Sequence, residues 1–184
     1  MSASNDQPNI LGKKSEMIND NYVPDGFVTS SNETYEWIWL PHSDPNQLIS
    51  IRNAEHVLLN MRSTLPITME NHLDFVKRYK SFQRIDFVLV NKDRGEYVGG
   101  MNISLTSHGF EIGKYIGHTA YLGKGITHQM SLSFITFVKK NFSEINKILA
   151  VTKIDNFKNI NLNFKLGFSI IRRVEDDFWL MELK

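Results

Sequence analysis

The sequence predicts one mixed α/β domain of the α+β class, built on a largely antiparallel sheet. Three observations carry this. Alternating runs rich in β-branched and aromatic residues follow one another directly in the middle of the chain, separated only by turn residues. Stretches with apolar residues at helical spacing stand before and after that block rather than between its members. At 184 residues, with 41% hydrophobic and 22% charged content, the chain has the size and make-up of a single globular domain.

Residues 1 to about 33 are rich in Ser, Asn, Asp, Lys and Gly and have little apolar period, so a flexible or loosely packed tail is expected ahead of a domain over 34–184. YEWIWL (35–40) alternates and is aromatic, which predicts a strand closed by the turn from Pro41 to Asn46. Leu48, Ile49 and Ile51, then Val57, Leu58 and Met61, predict one or two short helices. Thr68 fits an N-cap, with Glu70 in the first turn and Leu73, Val76 and Tyr79 at helical spacing behind it.

IDFVLV (85–90), YVGGMNISL (97–105) and FEIGKYIG (110–117) predict an antiparallel meander. From Lys124 to Asn141, Ile126, Met130, Phe134, Phe137 and Val138 fall on one helical face, which is expected to be core. KILAVTKI (147–154) predicts a strand and 157–166 a helix stopped by Gly167; FSIIRR and FWLMEL predict a terminal strand pair. About four helices are expected in all.

Composition excludes several chemistries. With no cysteine there are no disulfides, thiolate metal sites or cysteine nucleophiles, and no metal site is expected. A net charge of +1 gives no basic excess for nucleic acid. The first 30 residues lack a signal-peptide core, and no apolar run approaches the roughly 18–20 residues of a membrane span. A cytoplasmic protein with no membrane partner is expected.

Two motifs carry chemistry. In YIGHTAYLGKGITH (115–128) a strand runs into Gly123-Lys124-Gly125 and then into a helix, which can bare the backbone amides from Leu122 to Ile126 at the positive end of the helix dipole. Glycine lets an anion approach the backbone, although a loop that only needs positive φ would read the same way. The stretch is neither G-x-x-x-x-G-K-[ST] nor a three-glycine dinucleotide fingerprint. The second motif, NFKNINLNFKLGF (156–168), starts just after a strand and covers the helix behind it.

This second stretch resembles the N-x-x-[SN]-x-x-x-x-x-K-x-G-F signature of GNAT-superfamily N-acetyltransferases, with Asn156, Asn159, Lys165, Gly167 and Phe168 in register. The glycine loop resembles that superfamily's Q/R-x-x-G-x-G/A diphosphate loop, about 30 residues upstream. The resemblance covers roughly 34–184. It implies a mostly antiparallel twisted sheet that splays between strands 110–117 and 147–154, with acetyl-CoA as cosubstrate in the splay. Tyr115, Ile116 and Gly117 would align the pantetheine arm, Leu122, Gly123, Lys124, Gly125 and Ile126 would hold the diphosphate, and Asn156 and Asn159 would complete the cofactor site.

Two departures stand out. Ala120 replaces the family's Gln or Arg, and Asn163 stands where many members carry the tyrosine that protonates the departing sulfur; an amide cannot do so. Tyr121 is the expected substitute acid, with Tyr115, also nearby in sequence, and water as the alternatives. Glu111 matches an acidic position of relatives and is the expected base, the alternative being a surface strand carboxylate paired with Lys114 or another cation.

For the acceptor, ISIRNAEHVLLNMRSTLPITMENHLDFVKRYK (49–80) resembles GNAT enzymes acting on nucleotide-linked amino sugars, through Arg52, Asn53, Met61, Ile67, Thr68, His72 and Phe75. Arg52, Asn53, His72 and His118 are the expected acceptor-site residues, and a forked guanidinium suits a diphosphate. The expected partner is a small-molecule primary amine, and a homodimer is compatible with the pattern. Two other readings stay open: an acetyltransferase of protein N-termini or lysines, and a CoA-binding interaction module without turnover.

Overall fold

Residues 22–184 are described by the computed structural model, in which the middle strands form the expected meander. The strands are β1 (Phe27–Val28), β2 (Thr34–Trp39), β3 (Arg84–Asn91), β4 (Glu96–Thr106), β5 (Gly109–Ile116), β6 (Leu149–Lys153), β7 (Phe168–Val174) and β8 (Phe178–Leu183). The helices are α1 (Pro45–Arg52), α2 (Glu55–Leu58), α3 (Met69–Arg78), α4 (Ile126–Asn141) and α5 (Phe157–Lys165). Five described helices stand against about four expected, because the short-helix stretch breaks at Asn53 into α1 and the single turn of α2.

All eight strands join one sheet in the order β1-β2-β3-β4-β5-β6-β8-β7. In β2 the alternation buries Tyr35, Trp37 and Trp39. Strand β3 is buried on both faces: Ile85, Phe87 and Leu89 join the main core, and Val88 and Val90 pack with Leu48 and Ile51 of α1. Helix α4 supplies the core with Ile126, Met130, Phe134, Phe137 and Val138, as its period predicts.

The sheet changes direction at one place. Eight residue pairs tie β5 to β4, and five tie β6 to β8, but β5 and β6 run parallel and meet only at Glu111 and Leu149. Each strand belongs to a different half of the molecule, so beyond that pair the two diverge. The gap opens along Ile112 to Ile116.

Helix ends follow local chemistry. Asp44 caps α1 by accepting from Asn46 N and Gln47 N, and Thr68 caps α3 by accepting from Asn71 N. Gly167, at φ +92°, takes the left-handed conformation that stops α5. Residues 1–21 of the expected tail lie outside the described residues. Its remainder is part of the fold: Phe27 pairs with Tyr35, and the Ser133 hydroxyl donates to Asp25 O at 2.6 Å. Ordered structure therefore begins before residue 34.

Candidate active site

A cavity of about 510 Å³ opens where β5 and β6 part. Glu111 stands on its wall with its side chain almost fully buried. The Thr106 hydroxyl donates to Glu111 Oε1 at 2.5 Å, and Arg62 Nη2 lies 3.2 Å from Oε2. Lys114, the cation expected as an alternative partner, is three residues away on the same strand, and alternation sends it to the opposite face.

Lys114 instead reaches across the gap. Its Nζ donates to Asn163 Oδ1 of α5 at 2.5 Å, and Asn163 Nδ2 donates to Thr152 Oγ1 of β6 at 2.9 Å. Asn159 Nδ2 donates to the same hydroxyl at 3.1 Å. Burial pushes the Lys114 ammonium down to about 8, because no anion accompanies it into the protein.

The acceptor side of the cavity is built by α1, α3 and β3. Arg84 holds Asp86 with both guanidinium and carboxylate forked, at 2.7–2.8 Å, so that pair is satisfied internally. Arg52, on the last turn of α1, lies over the Tyr115 ring at 5.6 Å. Its Nη1 is buried without a hydrogen-bond partner among the described residues, and burial lowers its pKa. His72 of α3 also lines the cavity; burial lowers its pKa, so it is neutral at pH 7.

Other expected site residues sit elsewhere. The Asn53 side chain accepts from Ile67 N and donates to Ile67 O, both at 2.8 Å, and so straps the segment after α2 onto α1. His118 Nδ1 accepts from Ala120 N at 3.3 Å and caps the turn that follows β5. Tyr121 is buried edge-on to Tyr35, and its hydroxyl donates to Glu96 Oε2 at 2.5 Å. None of the three lines the cavity. Asn156 caps α5 by accepting from Asn159 N. His56, which the sequence did not single out, places Nε2 at 2.8 Å from Ile116 O.

The main chain of β5 also sorts itself. Gly117 N donates to Val98 O at 2.9 Å, and antiparallel ladders alternate, so Gly113, Tyr115 and Gly117 spend their backbone groups on β4. Lys114 and Ile116 turn theirs to the gap. Of the three residues expected to align a pantetheine arm, only Ile116 presents its backbone there, and His56 already takes its carbonyl.

Downstream, Gly123 (φ +76°) and Gly125 (φ +75°) are left-handed, and a Cβ at either would meet nothing within 4 Å. The first amide to donate back into α4 is that of His128, to Gly125 O, which leaves the amides of Gly123 to Thr127 ahead of the helical ladder. An open bend, bare amides and the dipole of a 16-residue helix fit a diphosphate. Next to it, the parted strands fit a thioester arm.

A family model described as an acetyltransferase (GNAT) domain matches residues 30–169. No curated protein gives a significant match. Among solved structures, the Campylobacter jejuni N-acetyltransferase PseH is 18% identical with a TM-score of 0.62, over 82% of this chain and 97% of that one. The ribosomal-protein-S5-alanine acetyltransferase of Vibrio fischeri is 21% identical with a TM-score of 0.63, over 86% and 95%. The aminoglycoside acetyltransferase AAC(6')-Ib, in complex with coenzyme A, is 16% identical with a TM-score of 0.65, over 82% and 94%. At these identities the likeness is one of fold. The matched domain and the splayed sheet lead to one conclusion: the chain belongs to the GNAT acetyltransferase family and is an N-acetyltransferase that uses acetyl-CoA.

Proposed function

We propose that the chain acetylates the primary amine of a small molecule that also carries an anionic group, a nucleotide-linked amino sugar being the class that fits best. The buried, unpartnered Nη1 of Arg52 on the cavity wall is the observation that carries this reading. A buried guanidinium donor without a partner costs stability unless a ligand completes it. The other arginines of the cavity are already matched, Arg84 by Asp86 and Arg62 by Glu111, so among its guanidinium groups an added anion meets Arg52.

When bound, acetyl-CoA supplies the activated acyl group. The amides of Gly123 to Ile126 would hold its diphosphate, since the expected Leu122 amide already donates to Thr119 O at 3.1 Å, and the gap-facing main chain of Lys114 and Ile116 would align its arm. Glu111 is the base. An alkyl amine is only about one part in a thousand neutral at pH 7, a deficit of roughly 4 kcal/mol that a positioned carboxylate helps to recover. His72, neutral and buried, lines the acceptor side as a hydrogen-bonding wall.

Thiol release from acetyl-CoA, measured across an amine panel, tests the reading. The panel holds a nucleotide-linked amino sugar, the same sugar without its diphosphate, a polyamine and a short peptide. The nucleotide-linked sugar is expected to give the highest kcat/KM. Arg52→Met is expected to remove about 10–100-fold of that preference, the worth of a charged hydrogen bond of about 1.5–3 kcal/mol. Equal or better turnover of the polyamine or peptide would overturn it.

A further inference from the structure

We propose that Lys114 is the general acid that returns a proton to the coenzyme A sulfur at the end of acetyl transfer. The assignment rests on the reading above that the thioester lies in the gap between β5 and β6. Asn163, on α5, cannot donate as an acid, and Tyr121 is committed to Glu96 away from the cavity. Lys114 is among the residues that line the cavity, and its Nζ is held 2.5 Å from Asn163 Oδ1 across the gap. The amine thus reaches, from the opposite strand, the α5 residue at which the resemblance places a tyrosine.

The hydrogen-bond chain gives the lysine its direction. Thr152 Oγ1 accepts from Asn159 Nδ2 and Asn163 Nδ2, which fixes the amide so that Oδ1, and not the NH₂ group, faces Nζ. An ammonium has three protons; one rests on Asn163 and two remain available to donate. Thr152, Asn159 and Asn163 are not titratable, and neither is Met181, whose sulfur lies 3.4 Å from Asn163 Nδ2. The other titratable or charged groups that line the cavity are Glu111, Arg62, His72, Arg52, Arg84, Asp86 and Tyr115.

Energetics favour the transfer. At about 8, the Lys114 ammonium lies within roughly one unit of a free thiol near 8.5, so the proton moves with little change in free energy. The step balances. As the amine nitrogen bonds the acyl carbon and the C–S bond breaks, the bond pair leaves on sulfur and takes one proton from Lys114 Nζ. Glu111 takes one proton from the substrate ammonium before attack and passes it to solvent, then takes the second from the same nitrogen as the adduct collapses to the amide. Transfer of one proton from Glu111 to Lys114 through solvent restores both groups.

The test uses the full chain with reduced coenzyme A as probe and follows thiolate absorbance of the bound ligand against pH, alongside kcat. Wild type and Lys114→Arg are expected to ionise the bound thiol at least one pH unit below free coenzyme A, because each sets a cation beside it. Lys114→Met is expected to titrate at or above the free value. Both variants are expected to lose about 10²-fold in kcat, the lower end for a general acid, since a guanidinium keeps its proton. Wild-type turnover by Lys114→Arg overturns the acid role, as does a bound thiol that titrates alike in wild type and Lys114→Met. If Lys114→Met does not fold, a wild-type thiol that ionises no earlier than the free one still overturns it. Failure of coenzyme A to bind at all, seen by calorimetry, overturns the cofactor site as well, and so separates that failure from this one.

Discussion

Glu111 accepts from Thr106 and pairs with Arg62, and both contacts hold its carboxylate at the cavity wall. Glu111→Gln keeps shape and one acceptor but removes the base. Turnover at pH 7 is expected to fall about 10²–10⁴-fold, and the deficit to shrink toward pH 10, where the amine arrives neutral. An equal loss at both pH values would take Glu111 out of that role. Gly125→Val places a branched side chain in the open bend, where φ +75° already costs an L-residue about 1–2 kcal/mol. Coenzyme A affinity measured by calorimetry is expected to drop at least tenfold, and unchanged affinity would contradict the diphosphate placement. Glu111 and the glycine pair were legible because each lies in a local pattern. Lys114 was not, since its partner on α5 is 49 residues away and no period links the two.

At the scale of elements, the sequence located the strands and helices to within a few residues, because their apolar periods are strong. It did not assign tasks to residues between elements. Asn53 resembles an acceptor ligand in the pattern, yet its side chain closes a two-way bond with Ile67 and ties the segment after α2 to the end of α1. Arg62 and Met61 lie within that strapped segment, on the cavity wall. Asn53→Ala loses two hydrogen bonds worth about 1 kcal/mol each. The expected result is a raised KM for the amine and weaker stability, with coenzyme A affinity unchanged; a drop in kcat alone would make Asn53 a direct participant instead. His56 was missed for a related reason. Its bond to Ile116 O depends on α2 packing beside the end of β5, a tertiary fact that no local spacing encodes.

Across the whole molecule, two sheet halves meet at one residue pair, and a buried amine spans the gap between them. That amine leaves a signature in stability. Its pKa is about 8 in the folded chain and about 10.4 when unfolded, so between these values the unfolded chain binds more protons and stability rises with pH. The full gain is at most about 3 kcal/mol, since the cavity admits some solvent. Tyrosines act in the opposite sense at higher pH. Burial pushes Tyr35 up to about 12 and raises Tyr79, Tyr115 and Tyr121 as well, so above about pH 10 the unfolded chain loses protons that the fold retains, and stability falls. Denaturant midpoints of the ligand-free protein are therefore expected to climb from pH 8 toward 10 and then decline. Lys114→Met, which carries the tyrosines but not the amine, is expected to lack the climb and keep the decline. Parallel profiles for the two proteins would mean that Lys114 meets solvent freely, and the gap between β5 and β6 would then hold no desolvated proton to give.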